Sequence, residues 1–89
     1  MDNFLITYDL KGDESAYLPL YDAIRGLGDY RHPLESVWEI RSDSSARELF
    51  NKLSNYIGDR DLIYIVKLGD DYQGWLPKSF WDWKHKNKK

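Results

Sequence analysis

The sequence predicts an α+β fold, one antiparallel sheet with helices packed on it, over 89 residues. Three observations carry that expectation. Short runs alternate apolar and polar residues in the manner of strands. Two longer runs repeat apolar residues at spacings of three and four, in the manner of helices. Their order along the chain is strand, helix, two strands, helix, strand. That is the βαββαβ pattern of a ferredoxin-like sandwich, a four-stranded antiparallel sheet with two helices on one face. Right-handed crossovers leave few other ways to wind it.

Residues 3–10 read as the first strand, and KGDES (11–15) as a polar loop. Tyr17, Leu20, Tyr21, Ile24 and Leu27 then recur at helical spacing. Pro19 suits only a first turn, and Gly26 and Gly28 mark the helix end. DYRHP is a short strand in which Pro33 indicates an edge or a bulge. SVWEIRS follows as a firmer strand, with Trp38 and Ile40 alternating against Val37, Glu39 and Arg41. Ser45 with Glu48 three residues on is a capping box. Ala46, Leu49, Phe50, Leu53 and Ile57 supply an apolar stripe behind it, closed by Gly58. Asp61 precedes LIYIVKL, the run richest in strand-forming residues. GDDYQG is a turn, and Pro77 opens a short terminal helix in an aromatic stretch.

These assignments give one domain over residues 1–83, with residues 74–83 as a C-terminal extension and residues 84–89 as a basic, disordered tail. With 42% hydrophobic and 16% aromatic residues, the chain has ample material for a core. It has no cysteine, so neither a disulfide framework nor a thiolate metal site is available. No stretch approaches the ~18 apolar residues of a membrane span, and no signal-peptide pattern opens it, so a cytoplasmic location is expected. Net charge is −2, but four lysines among the last six residues contribute +4 and leave −6 on the rest. An acidic body does not suit a strong nucleic-acid scaffold.

The second sheet face poses a question. With Leu62, Tyr64, Val66 and Leu68 taken as facing the helices, Ile63 and Ile65 face away, and Val37 joins them. An apolar open face needs a cover. Either the C-terminal segment folds over it or a second copy packs sheet against sheet. The homodimer is the preferred expectation, because two-fold dimers are the commonest oligomers.

No phosphate loop, nucleophile elbow or HExxH motif occurs. His32 reads as a loop or edge residue and His85 as part of the tail. The acidic pairs Asp13–Glu14 and Asp70–Asp71 read as solvated turns, and Arg25, Arg31 and Arg41 as surface charge. Trp75, Phe80, Trp81 and Trp83 read as packing residues more than as base-stacking ones. Asp9, at the end of the first strand, is the candidate catalytic and metal-binding residue. Alone, it reads first as a residue that bonds the KGDES loop backbone. In a two-fold dimer, two copies ~5 Å apart would repel by about 3 kcal/mol. A shared Mg²⁺ or Mn²⁺ would reverse that sign and could activate water on a phosphodiester.

Several of these stretches carry a resemblance. Tyr8-Asp9 after an apolar strand resembles the YD signature of the small CRISPR-associated Cas-two nuclease family. Gly28 and then Ser36-Val37-Trp38-Glu39 resemble that family's glycine and SVFE strand, and Asp61 with LIYIVKL resembles its last core strand. The chain is more closely similar to the SinR-like branch of the Cas-two and virulence-associated protein D superfamily. His32, Leu34, Ser36 and Trp38 match its H-x-L-x-S-x-W pattern, and residues 74–83 match its GWLPKxxWxW end. The resemblance implies a ferredoxin-like homodimer with Asp9 as metal-binding residue at the interface. It implies a metal-dependent nuclease acting on RNA or DNA, or a non-catalytic dimer that binds nucleic acid or protein. The acidic body and the aromatic extension depart from the Cas-two pattern.

Overall fold

The computed structural model describes residues 1–86. Its elements are β1 (Asp2–Asp9), α1 (Leu18–Arg25), β2 (Asp29–Leu34), β3 (Val37–Ser42), α2 (Ala46–Leu53), β4 (Leu62–Lys67) and α3 (Lys78–Lys86). Short 3₁₀ turns at Glu14–Tyr17 and Ser54–Tyr56 precede α1 and follow α2. The strands form one sheet in the order β2-β3-β1-β4, with every neighbouring pair antiparallel. This is the ferredoxin-like α+β arrangement that the element order predicts.

Register fixes which side chains share a face. Phe4 lies opposite Ile40 and Ile6 opposite Trp38 on one side of β1, while Ile6 lies opposite Ile65 and Tyr8 opposite Ile63 on the other. Directly opposed residues point to the same side of a sheet. Phe4, Ile6, Trp38 and Ile40 form the core with Leu20 and Ile24 of α1 and Leu49 and Leu53 of α2. Ile63 and Ile65 pack against that core. The expected phase of β4 is therefore reversed. Ile63 and Ile65 face the helices, and Leu62 and Tyr64 stand on the other face, 61% and 64% exposed. The run LIYIVK is apolar at both parities, so alternation alone cannot orient it. Pairing with β1 decides, because Phe4 and Ile6 are buried there while Leu5 and Thr7 are only partly covered.

Local signals explain most boundaries. Pro19 sits in the first turn of α1, and Gly26 caps its end. The capping box of α2 is complete: Glu48 N donates to Ser45 Oγ at 3.1 Å, and Ser45 N donates to Glu48 Oε1 at 2.9 Å. That helix stops at Leu53 rather than running to Gly58. Ser54 Oγ bonds the Asn51 carbonyl, and the chain tightens into a 3₁₀ turn. β2 is an edge strand with a register irregularity between Arg31 and Leu34, where Pro33 can donate no ladder bond. Gly28 lies so close to the Arg41 carbonyl oxygen that any β-carbon would collide with it.

α3 crosses the face opposite α1 and α2. Glu39 and Arg41, which alternate with Trp38 and Ile40, meet it there. Lys84 Nζ donates to Glu39 Oε2 at 2.5 Å, with both side chains over nine-tenths buried, and Asn3 Nδ2 donates to the same oxygen at 2.8 Å. Arg41 donates to the carbonyls of Trp83 and Lys84 at 3.0 and 3.2 Å, satisfying acceptors that the last turn of a helix leaves open. Its guanidinium also lies 4.1 Å from the Trp83 ring centroid, and Trp83 Nε1 donates to Asp29 Oδ2 at 2.9 Å. The basic tail expected from residue 84 thus begins as ordered helix, because Lys84 is an ion-pair partner. Residues 87–89 of that expected tail lie outside the described residues.

Candidate functional site

Asp9 ends β1 opposite Leu62 of β4, on the sheet face that α3 only partly covers. Its carboxylate is 63% exposed, and Lys11 Nζ lies 2.6 Å from Oδ2. Around it Thr7, Tyr8, Leu62, Ile63 and Tyr64 complete the lining of an open depression of about 270 Å³. The position is a strand end, as the sequence suggests, and the structure leaves its side chain accessible. The chain thus presents an accessible carboxylate beside an exposed apolar surface. Among the described residues no group of three histidine, aspartate or glutamate side chains is placed to hold a metal ion.

The loop after β1 is tied down by a different acid. Asp61 Oδ1 accepts from Lys11 N at 2.9 Å and from the Tyr17 hydroxyl at 2.7 Å, and Oδ2 accepts from Gly58 N at 2.7 Å. Tyr17 Oη also accepts from Gly12 N at 2.9 Å. One carboxylate and one phenol therefore join the β1–α1 and α2–β4 loops. The Lys11 and Gly58 N–H donors and the Tyr17 hydroxyl hold Asp61 below the ordinary carboxylate range. The bond to Asp61, with burial, raises the Tyr17 hydroxyl. Loop-bonding, the structural alternative for Asp9, thus falls to Asp61. No local pattern marks that role, since its partners in the β1–α1 segment lie 44 and 50 residues away and only Gly58 is a sequence neighbour.

The remaining candidates separate. Arg41 is buried in the α3 contact, whereas Arg31 pairs with Asp29 at 3.6 Å and Arg25 with Asp22 at 2.9 Å. Asp13, Glu14, Asp70 and Asp71 are exposed. His32 stacks on Trp38 with centroids 3.9 Å apart and planes 10° from parallel, and Nε2 lies 2.8 Å from the Glu35 carbonyl. Trp38 Nε1 donates to Tyr8 Oη at 3.0 Å. Histidine and tryptophan of the H-x-L-x-S-x-W pattern are thus packed together across the β2–β3 hairpin. No helix among the described residues is long and apolar enough to cross a membrane.

No family model matches the chain, and no curated protein matches it. Among solved structures, it is similar to a hypothetical protein, TT1823, from Thermus thermophilus, with a TM-score of 0.65 and 16% identity. The match covers 85% of this chain and 94% of that one. At that identity the likeness speaks for the fold.

Proposed function

We propose that the protein is a cytoplasmic homodimer whose two Asp9 carboxylates share a divalent cation, Mg²⁺ or Mn²⁺, and that it cleaves RNA or DNA phosphodiesters as a Cas-two-like nuclease. The observation that carries this reading is the position of Asp9. It stands at the rim of the uncovered sheet sector, next to exposed Leu62 and Tyr64, where a two-fold partner would bring a second copy close.

The residues suit a water-rich ion and no other kind. One exposed carboxylate per chain cannot enclose a metal, but Mg²⁺ keeps most of its waters and needs only one or two carboxylates. When bound, such an ion supplies polarisation of the phosphodiester and an activated water. Asp9 orients and neutralises it. Lys11 must leave Asp9 for this to happen, and at 48% exposure it is free to do so. Its displaced ammonium then lies within reach of a phosphate.

A second reading rests on the same ion pair. Lys11 already neutralises Asp9, and among the described residues no group of three metal-ligating side chains forms, which suits a non-catalytic dimer that binds nucleic acid or protein. A nuclease assay on RNA and DNA with Mg²⁺ or Mn²⁺, run beside Asp9→Asn, separates the two. Metal-dependent cleavage that falls at least about a hundredfold in Asp9→Asn is expected, a loss of roughly 3 kcal/mol in transition-state stabilisation. Cleavage that survives the substitution, or none in either protein, would leave the binding module.

A further inference from the structure

Docking of α3 divides the aromatic residues of the C-terminal stretch into two sets. Phe80 and Trp83 are buried, 6% and 5% exposed, and do the packing that the sequence predicts. Trp75 is fully exposed, and Trp81 is only partly covered. Trp81 instead lines a cavity of about 430 Å³ together with Asp70, Tyr72, Gln73, Gly74 and His85. That volume lies within the roughly 300–1,000 Å³ of small-molecule sites.

The walls have a definite chemistry. Tyr72 and Trp81 are nearly parallel, 13° apart with centroids at 6.2 Å, and the His85 ring lies 5.9 Å from Trp81 at 27°. Such surfaces suit a flat ligand. A cation is a poor candidate, although aromatic walls and a carboxylate often attract one. Lys84 Nζ, paired with Glu39, already sits 4.1 Å from the Tyr72 centroid and so occupies the ring face that a ligand cation would take. Asp70 and the neighbouring Asp71 likewise disfavour a ligand held through phosphate. What remains is a neutral aromatic ring that offers hydrogen-bond donors. Asp70 can only accept, and Gln73 can accept and donate. Among nucleobases, guanine presents two adjacent donors, its ring N1–H and its exocyclic amine, to one carboxylate. Those donors are free only when the base is unpaired.

We propose that this cavity binds an unpaired guanine of single-stranded nucleic acid, with the ring against the Trp81 wall and its donor edge on Asp70. The inference rests on the proposed action on nucleic acid and narrows the substrate to a single strand. Base-led binding of this kind depends only weakly on salt, with a log–log slope of about one or less.

The test uses the full chain carrying Asp9→Asn, in EDTA, so that binding is read without cleavage. Indole N–H resonances are followed by ¹⁵N NMR on addition of the RNA pentamers UUGUU and UUAUU. The Trp81 resonance is expected to shift with UUGUU while that of buried Trp38 stays fixed. UUAUU should bind about tenfold more weakly, the discrimination of one bidentate base contact. Asp70→Asn changes an exposed side chain and should remove that difference without moving Trp38. The inference is overturned by an unmoved Trp81 resonance at millimolar UUGUU, or by equal binding of the two pentamers. It is also overturned by a guanine preference that survives Asp70→Asn, or by an equal Trp81 shift with duplex DNA or an arginine-rich peptide. Guanine binding without cleavage by the unsubstituted protein would remove the nuclease reading and leave the subsite. Cleavage with no Trp81 response would do the reverse.

Discussion

Asp61 accepts bonds from Lys11 N, Gly58 N and the Tyr17 hydroxyl, and so joins two loops at the same end of the sheet as Asp9. Its charged form is the bonded form. The folded-state pKa is depressed, so this stabilisation is fully present above the unfolded pKa and disappears as pH falls through the folded one. Urea unfolding of the native protein and of Asp61→Asn should therefore differ most at neutral pH. The two midpoints should converge as pH is lowered well below about 4. A constant difference across that range would assign the effect to shape, not charge. Asp9 and Asp61 also mark the limit of reading single acids from sequence. That Asp9 ends a strand was legible from the run of strand-forming residues before it. That Asp61 holds the KGDES loop was not, because the bond depends on how two distant loops meet.

α3 is held by interactions of very different worth. Lys78 and Asp82, one turn apart at 2.9 Å, are 87% and 63% exposed, so Lys78→Ala should change stability by no more than about 0.5 kcal/mol. Lys84 and Glu39 are buried, and removing one partner strands the other's charge. Lys84→Met should cost ~3–5 kcal/mol, and adding Glu39→Gln should recover most of that while keeping an acceptor for Asn3. Chemical denaturation of the single and double variants provides the check. Equal losses in both would mean that the ammonium contributes no charge interaction. At this scale the helices and strands were readable because their apolar periods are clear and Ser45–Glu48 caps α2. The docking of α3 was less so. Its signal is polar, a glutamate and an arginine in a strand and a lysine assigned to a tail, and no period reveals that such residues are partners. The phase of β4 failed for the opposite reason, an excess of apolar residues.

Over the whole molecule, α3 covers the Glu39–Arg41 half of the second sheet face and leaves the half bearing Leu62, Tyr64 and Asp9 accessible. The charge balance shifts with it, since one of the four terminal lysines is spent on Glu39. The proposed dimer uses the accessible half. Sedimentation should give twice 10.6 kDa for the native chain, and the monomer for Tyr64→Lys. Because Tyr64 is 64% exposed in the single chain, the stability of the monomer itself should change by no more than about 0.5 kcal/mol. A native monomer at high concentration would remove the dimer and with it the shared-ion site. The element order and the handedness of crossovers made the sheet topology legible. The C-terminal segment, the less favoured of the two expected covers, lies as α3 on the Glu39–Arg41 half of the second face, and the proposed dimer would use the other half.

β4 has a further consequence. It closes one edge of the sheet, so half of its backbone N–H and C=O groups have no strand beside them among the described residues. Its six residues, LIYIVK, are rich in strand formers and carry one charge, Lys67, which lies 3.3 Å from Asp2. Such a segment is a template for fibril growth whenever the edge is uncovered. Charged residues on an edge disfavour such edge-to-edge pairing, and Lys67 is the one that β4 carries. Pairing of the edge with any partner protects the chain from its own copies.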